Sequence, residues 1–162
     1  MFSEADIALA SDVLSRAHKA GIMLAIAESC TGGLVSACLT AVPGASEVLD
    51  RGFVTYTNDS KTEMLGVPAD LIRSYGAVSE AVACAMAEGA LARSRAEASI
   101  AITGIAGPGG GSADKPVGLV WIAGARTGRK TIAEKHLFGD IGRSQVREKS
   151  LEAALRVLER LI

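Results

Sequence analysis

Hydrophobic positions along the chain follow two alternating rhythms. After Ser3, the residues Ile7, Ala10, Val13, Leu14 and Ala17 recur at three- and four-residue steps, the period of a helix buried along one face. Ser3 with Asp6 has the spacing of a capping box, and Gly21 supplies the stop. Met23 to Ala27 is an apolar run of strand length that leads into the small polar turn Ser29–Gly33. Leu34 to Ala41 reads as a second helix, ended by Pro43-Gly44. Leu49 to Thr57 predicts a second strand, after which Asn58 or Asp59 can cap a short helix through Leu65.

The second half continues in the same way. Pro68 to Tyr75 predicts a short helix, since proline suits a first helical turn. Ser79 is an N-cap for a long alanine-rich helix to about Arg93. Ala98 to Thr103 is a third strand that runs into Gly104–Gly111, a stretch too glycine-rich for regular structure. Gly118 to Ala125 and Thr131 to Leu137 predict two strands joined as a hairpin at Thr127-Gly128-Arg129, and a last helix starts at Gly142. Strand and helix mostly alternate, with one late hairpin. The order predicts one domain over residues 1–162, an α/β fold in three α/β/α layers on a mixed, mainly parallel sheet of about five strands with one antiparallel strand.

Composition narrows the chemistry. Aromatics make up only 4% of the 162 residues while hydrophobic residues reach 49%, which suits closely packed helices and argues against disorder. A net charge of −1 supplies no basic field for nucleic acid or an anionic membrane surface, so an anionic ligand must be held locally. The apolar runs are too short to span a bilayer, and no signal-peptide pattern opens the chain. Cys30, Cys38 and Cys84 lack metal-type spacing and read as reduced thiols of a cytoplasmic protein; His18 and His136 lie too far apart for a zinc site.

In a largely parallel sheet, ligands gather at the carboxyl ends of the strands. Three segments fall there: Glu28–Gly33, Tyr56–Lys61 and Thr103–Gly111. The first places Ser29 and Thr31 at a helix N-terminus, where they either cap the helix or favour an anion. Cys30 is open to two roles, nucleophile or buried thiol. In the second segment, Lys61 in the first turn of a helix faces the positive end of the dipole, and partial burial would lower its pKa until it serves as a base. An ordinary solvated lysine is the alternative. The glycine loop, which fits neither the Walker nor the dinucleotide pattern, reads as a phosphate cradle or a lid. Finally, the apolar stripe of the last helix, traced back from Ile162, meets Arg147 and Arg143. These would bind an anionic ligand or pair with an internal acid such as Glu28.

Six motifs in register resemble the C-terminal domain of the CinA (competence/damage-inducible) family. They are AESCTGG at 27–33, PGAS at 43–46, RGFVTYTNDSK at 51–61, GAVSE at 76–80, TGIAGPGGG at 103–111 and KPVGLVW at 115–121. The resemblance runs from about Ala5 to Leu161 and implies the stand-alone form, without the N-terminal domain that many members carry. It implies an amidohydrolase that converts nicotinamide mononucleotide to nicotinate mononucleotide and ammonia with serine and lysine, without metal or cofactor. By position, Ser46 and Lys61 would be nucleophile and base, with Tyr56 beside them. Ser29, Thr103 and Arg143 would complete the substrate pocket, together with Thr31, Gly32, Gly33, Asn58, Gly104 and Gly107. A homodimer is also expected. Two alternatives remain open: a non-catalytic nucleotide- or partner-binding module, and a serine hydrolase acting on another amide.

Overall fold

The capping box at Ser3 forms as its spacing predicts: the Asp6 amide donates to Ser3 Oγ and the Ser3 amide to Asp6 Oδ2, both at 3.1 Å. Helix α1 then runs Glu4–Ala20 until Gly21 leaves it at φ 63°, a left-handed conformation that glycine adopts at no steric cost. The computed structural model describes residues 2–162. After α1 come β1 (Leu24–Glu28), α2 (Leu34–Thr40), a 3-10 turn (Ala45–Glu47), β2 (Leu49–Val54), α3 (Asn58–Leu65), α4 (Ala69–Tyr75) and α5 (Glu80–Ala92). The chain ends with β3 (Ala98–Gly104), β4 (Leu119–Arg126), β5 (Ile132–Leu137) and α6 (Arg143–Leu161).

Two boundaries differ from the hydrophobic pattern for a physical reason. Thr57, expected in β2, is instead the N-cap of α3: its hydroxyl accepts from the Ser60 amide at 3.1 Å while its own amide donates to Ser60 Oγ at 3.1 Å. A hydroxyl at that position offers the backbone a cap in place of a ladder bond, so β2 ends at Val54 and neither Asn58 nor Asp59 is the cap. The 3-10 turn around Ser46 is too short to leave a periodic signature.

The five strands lie in the order β2-β1-β3-β4-β5. β1 pairs parallel with both β2 and β3, whereas β4 is antiparallel to both β3 and β5, so β4 alone opposes the other four. Along β1 the side chains alternate between two unlike faces. Leu24 and Ile26 pack with α1, α2 and α6; Ala25 and Ala27 pack with α5 and its neighbours α3 and α4. Each buried leucine or isoleucine contributes about 1.5–3 kcal/mol, so the first face supplies most of the apolar stabilisation. The alanine face instead permits close approach. At Gly89 of α5 an added Cβ would fall 2.1 Å from the Leu65 carbonyl oxygen, which explains the absence of a side chain there.

This topology fixes where a ligand can bind. The chain leaves β1 toward β2 on one side, and β3 lies on the other, so β1 sits at a topological switch point. The carboxyl ends of β1, β2 and β3 share one edge of the sheet, and a crevice at that edge is the expected binding position in such sheets.

Candidate active site

Ser29 is the first residue past β1, and the sheet holds it from both sides. Its amide donates to Ile102 O of β3 at 2.9 Å, while the Thr55 amide beyond β2 donates to Glu28 O at 2.8 Å. The chain then turns through Gly32 and Gly33, at φ 59° and 95°, into α2. Both glycines are left-handed, which glycine adopts at no steric cost; the Gly32 amide closes the turn on Ser29 O at 3.0 Å, and bonds from outside add to it.

Glu28 supplies one set of those bonds. Its carboxylate is fully buried and accepts four hydrogen bonds: Oε2 from the amides of Gly33 (3.1 Å) and Val35 (3.0 Å), Oε1 from the amide (2.9 Å) and hydroxyl (2.7 Å) of Ser36. A carboxylate of the protein therefore occupies the anion position at the start of α2. This corrects the expectation that Gly33 offers a free amide to a substrate anion, and it explains why Glu28 does not pair with an arginine.

Lys61 of α3 meets Ser29 at this edge of the sheet. Its side chain leans back toward the start of α3, the normal tilt for a helical residue. The side chain is 1% exposed, and Nζ donates to Thr55 O (2.9 Å), Ser29 Oγ (3.0 Å) and Thr57 O (3.5 Å). Burial pushes the Lys61 pKa below its ordinary value. The neighbouring Cys30 thiol would oppose that shift only as a thiolate, and burial raises its own pKa to about 12. Cys30 is thus a core thiol, packed near Gly104, where an added Cβ would lie 3.1 Å from its sulfur. Burial and the raised pKa both disfavour Cys30 as the nucleophile.

The other expected residues divide into two groups. Arg143, the first residue of α6, donates to the Tyr56 hydroxyl at 2.5 Å and to Gly107 O at 3.1 Å, so three chain segments meet on the edge above Ser29. Tyr56 is 56% exposed, just past the end of β2. Asn58, exposed in the first turn of α3, lies on the same edge. Thr103 is buried and donates to Ala77 O at 2.9 Å, anchoring the segment before α5. Gly104 admits no side chain, because a Cβ would meet Val120 Cγ2 at 2.6 Å and Leu119 O at 2.9 Å. The hydroxyls of Thr31 and Thr55, both buried, have no protein partner.

Ser46 is not brought to Lys61. It lies exposed in the 3-10 turn before β2, on a hollow it shares with Thr40 and Arg51, whereas Lys61 bonds the backbone just past the end of β2. The six residues of β2 separate them, on the order of 20 Å. The pairing of Ser46 with Lys61 is therefore corrected in this chain: the hydroxyl that Lys61 reaches belongs to Ser29.

Two residues gain importance that sequence spacing concealed. Glu28 sits at the end of an apolar run, and a buried acid directly before a small-residue turn was its only signal. Arg147 donates to Thr31 O at 2.8 Å, a contact between residues 116 apart. Its position on the inward stripe of α6 pointed to the protein interior, with an anionic ligand or Glu28 as the expected partner; the partner is a backbone carbonyl instead.

The fold and this crevice define an α/β protein with a lysine–serine contact at a switch point. The family model described as the CinA C-terminal domain matches residues 6–162, and the chain belongs to that family. A CinA-like protein of Syntrophobacter fumaroxidans is 48% identical over 157 residues, covering 97% of this chain and 37% of the relative. One from Akkermansia muciniphila is 50% identical over 138 residues, covering 85% and 33%. The chain thus spans about a third of the length of these curated relatives. Among solved structures, the competence/damage inducible protein CihA from Agrobacterium tumefaciens superposes with a TM-score of 0.97 at 47% identity, covering 99% of this chain and 98% of that one. A CinA superfamily protein from Escherichia coli gives 0.91 at 35% identity, covering 99% and 94%.

Proposed function

We propose that the chain is an amidohydrolase that attacks the carboxamide of nicotinamide mononucleotide with Ser29, using Lys61 as the base, and releases nicotinate mononucleotide and ammonia. The observation that carries this reading is the set of partners around Lys61 Nζ. Two of them, Thr55 O and Thr57 O, are carbonyls that only accept. When Lys61 is neutral, these hold its two remaining protons, and the lone pair is left facing Ser29 Oγ. A hydroxyl is the one partner of the three that can turn and donate. The geometry thus favours neutral Lys61 as an acceptor for the proton of Ser29 and for no other group around it.

The steps follow from that arrangement. Ser29 Oγ adds to the carboxamide carbon while its proton passes to Lys61. The Cys30 and Thr31 amides follow Ser29 directly and are not among those drawn to Glu28, so they are suited to hold the developing oxyanion. Collapse expels ammonia, which takes the proton back from Lys61 and leaves an acyl ester on Ser29. Water, deprotonated by Lys61, cleaves that ester and restores the hydroxyl. Arg143 is a cation at the mouth suited to an anionic nucleotide, as the low net charge of the chain requires of a local site.

The test is ammonia release from nicotinamide mononucleotide by the purified protein, run beside a panel of other amides. Turnover of the nucleotide that disappears in a folded Lys61→Met variant is the expected result. Turnover of another amide alone would replace the substrate while keeping the dyad, and nucleotide binding without turnover would favour a binding module.

A further inference from the structure

The turn from Ser29 to Gly33 carries both the attacking hydroxyl and the amides suited to the oxyanion, yet it contains two left-handed glycines and the Thr31 hydroxyl anchors to nothing. Inside the turn the Gly32 amide donates to Ser29 O at 3.0 Å and the Leu34 amide to Thr31 O at 3.3 Å, and bonds from outside add to these. Glu28 holds the far end through the Gly33 amide at 3.1 Å. Near the reacting atoms, β3 holds the Ser29 amide and Lys61 the Ser29 hydroxyl, and a further bond comes from Arg147 on α6, whose guanidinium donates to Thr31 O at 2.8 Å and lies 3.8 Å from where a Cβ on Gly32 would sit. Arg147 is partly buried, and its charge is close enough to be felt by the Cys30 thiol.

The same helix holds the rest of the edge. One turn earlier, Arg143 binds Tyr56 and Gly107 O. Residues four apart share a helix face, so α6 draws the three strand-end loops together through two guanidinium groups. Arg143 is exposed, whereas Arg147 is half-buried where it meets the turn. The Arg147 bond to the Thr31 carbonyl, beside those of the Gly32 amide to Ser29 O and the Leu34 amide to Thr31 O, helps to fix the plane of the peptide that follows Thr31 and the direction of the neighbouring amides.

We propose that Arg147 is a positioning residue of the reaction, which orients the Ser29 turn through the Thr31 carbonyl without touching substrate. The inference rests on the serine–lysine reading above. Losing the bond lets the glycine turn relax, and a misplacement near 1 Å at a reacting centre costs about a hundredfold in rate.

The experiment uses a fluorophosphonate, which phosphonylates an activated serine whatever the natural substrate is. The rate of labelling at Ser29 is followed by mass spectrometry in the wild type, Arg147→Met, Arg147→Lys and, as a control on the same helix, Lys149→Met. Arg147→Met keeps the apolar stem and removes the donors; Arg147→Lys keeps the charge on a shorter stem and preserves the fold if the methionine variant loses it. The expected result is a fall of about ten- to a hundredfold in Arg147→Met and a smaller fall in Arg147→Lys. Labelling in Lys149→Met should stay near the wild-type rate, and thermal midpoints should lie within a few degrees. Amidase kinetics should show the loss in kcat with little change in KM. Wild-type labelling in either folded Arg147 variant overturns the positioning role and leaves the dyad standing. An equal fall in Lys149→Met also overturns it. Failure of the wild type to label at Ser29 overturns the serine–lysine reading itself, and the Arg147 role with it.

Discussion

Lys61 Nζ and Ser29 Oγ lie 3.0 Å apart, although 32 residues separate them in the chain. The contact is largely shielded from solvent, with Lys61 at 1% and Ser29 at 8% exposure. An ammonium group held there, bonded to two carbonyls and one hydroxyl, is a costly way to stabilise a fold, whereas a neutral amine in the same place is suited to take the proton of a serine.

Ser29→Ala and Lys61→Met should each lower amide turnover by about a thousandfold or more, and the double variant should lose no more than the worse single one, because the two act as a unit. Ser46→Ala should stay within a few-fold of the wild type, since β2 lies between it and Lys61. Steady-state kinetics on the four variants checks this, and a Ser46→Ala variant as inactive as Ser29→Ala would contradict it.

The pH dependence follows from the direction of the Lys61 shift. Burial lowers its pKa, so the neutral base becomes populated at a lower pH than in an exposed lysine. The rate should therefore rise with pH along a limb centred below about 10.4, the ordinary lysine value. A kcat/KM profile measured from pH 6 to 11 decides it; a limb at or above the ordinary value would remove burial as the source of basicity.

Cys30 should be inert. It is buried, with a thiol pKa pushed up to about 12, so its thiolate is scarce at pH 8. Iodoacetamide treatment of the native protein should leave Cys30 unmodified by peptide mass analysis, while the less buried Cys84 is the site to react first. Activity should survive the treatment. Rapid alkylation of Cys30 with parallel loss of activity would point to a thiol mechanism.

Glu28→Gln should destabilise the protein. An amide oxygen can replace one carboxylate oxygen, but the amide nitrogen then faces backbone donors at the other. At least one buried N–H is left unpaired, at about 1–3 kcal/mol. Thermal unfolding should shift down by roughly 3–10 °C in a chain of this length. An unchanged midpoint would mean the start of α2 does not depend on the carboxylate.

Local signals were legible wherever the chemistry is local. The capping box at Ser3, the Gly21 stop, the Ser79 cap and the apolar run of β1 depend on neighbours within a few residues, so those elements appear in the structure close to where spacing puts them. Thr57 shows the limit, because a cap and a strand end compete for one residue and the Ser60 hydroxyl decided between them. Lys61 was legible as a candidate base through its place in a first helical turn, and the three loops at strand ends through the rule for parallel sheets.

The amino-acid sequence alone determined the layers, the lone antiparallel strand, the family motifs and the segments that border the crevice. Only the tertiary structure decided which hydroxyl Lys61 reaches, that Glu28 already fills the start of α2, and that Arg147 grips the Thr31 carbonyl. The reason is distance along the chain. Caps, stops and alternation arise between residues a few positions apart, whereas Ser29 and Lys61 are joined only because β1 and β2 run parallel and end at the same edge. That same parallel run carries Ser46, at the start of β2, to the opposite edge.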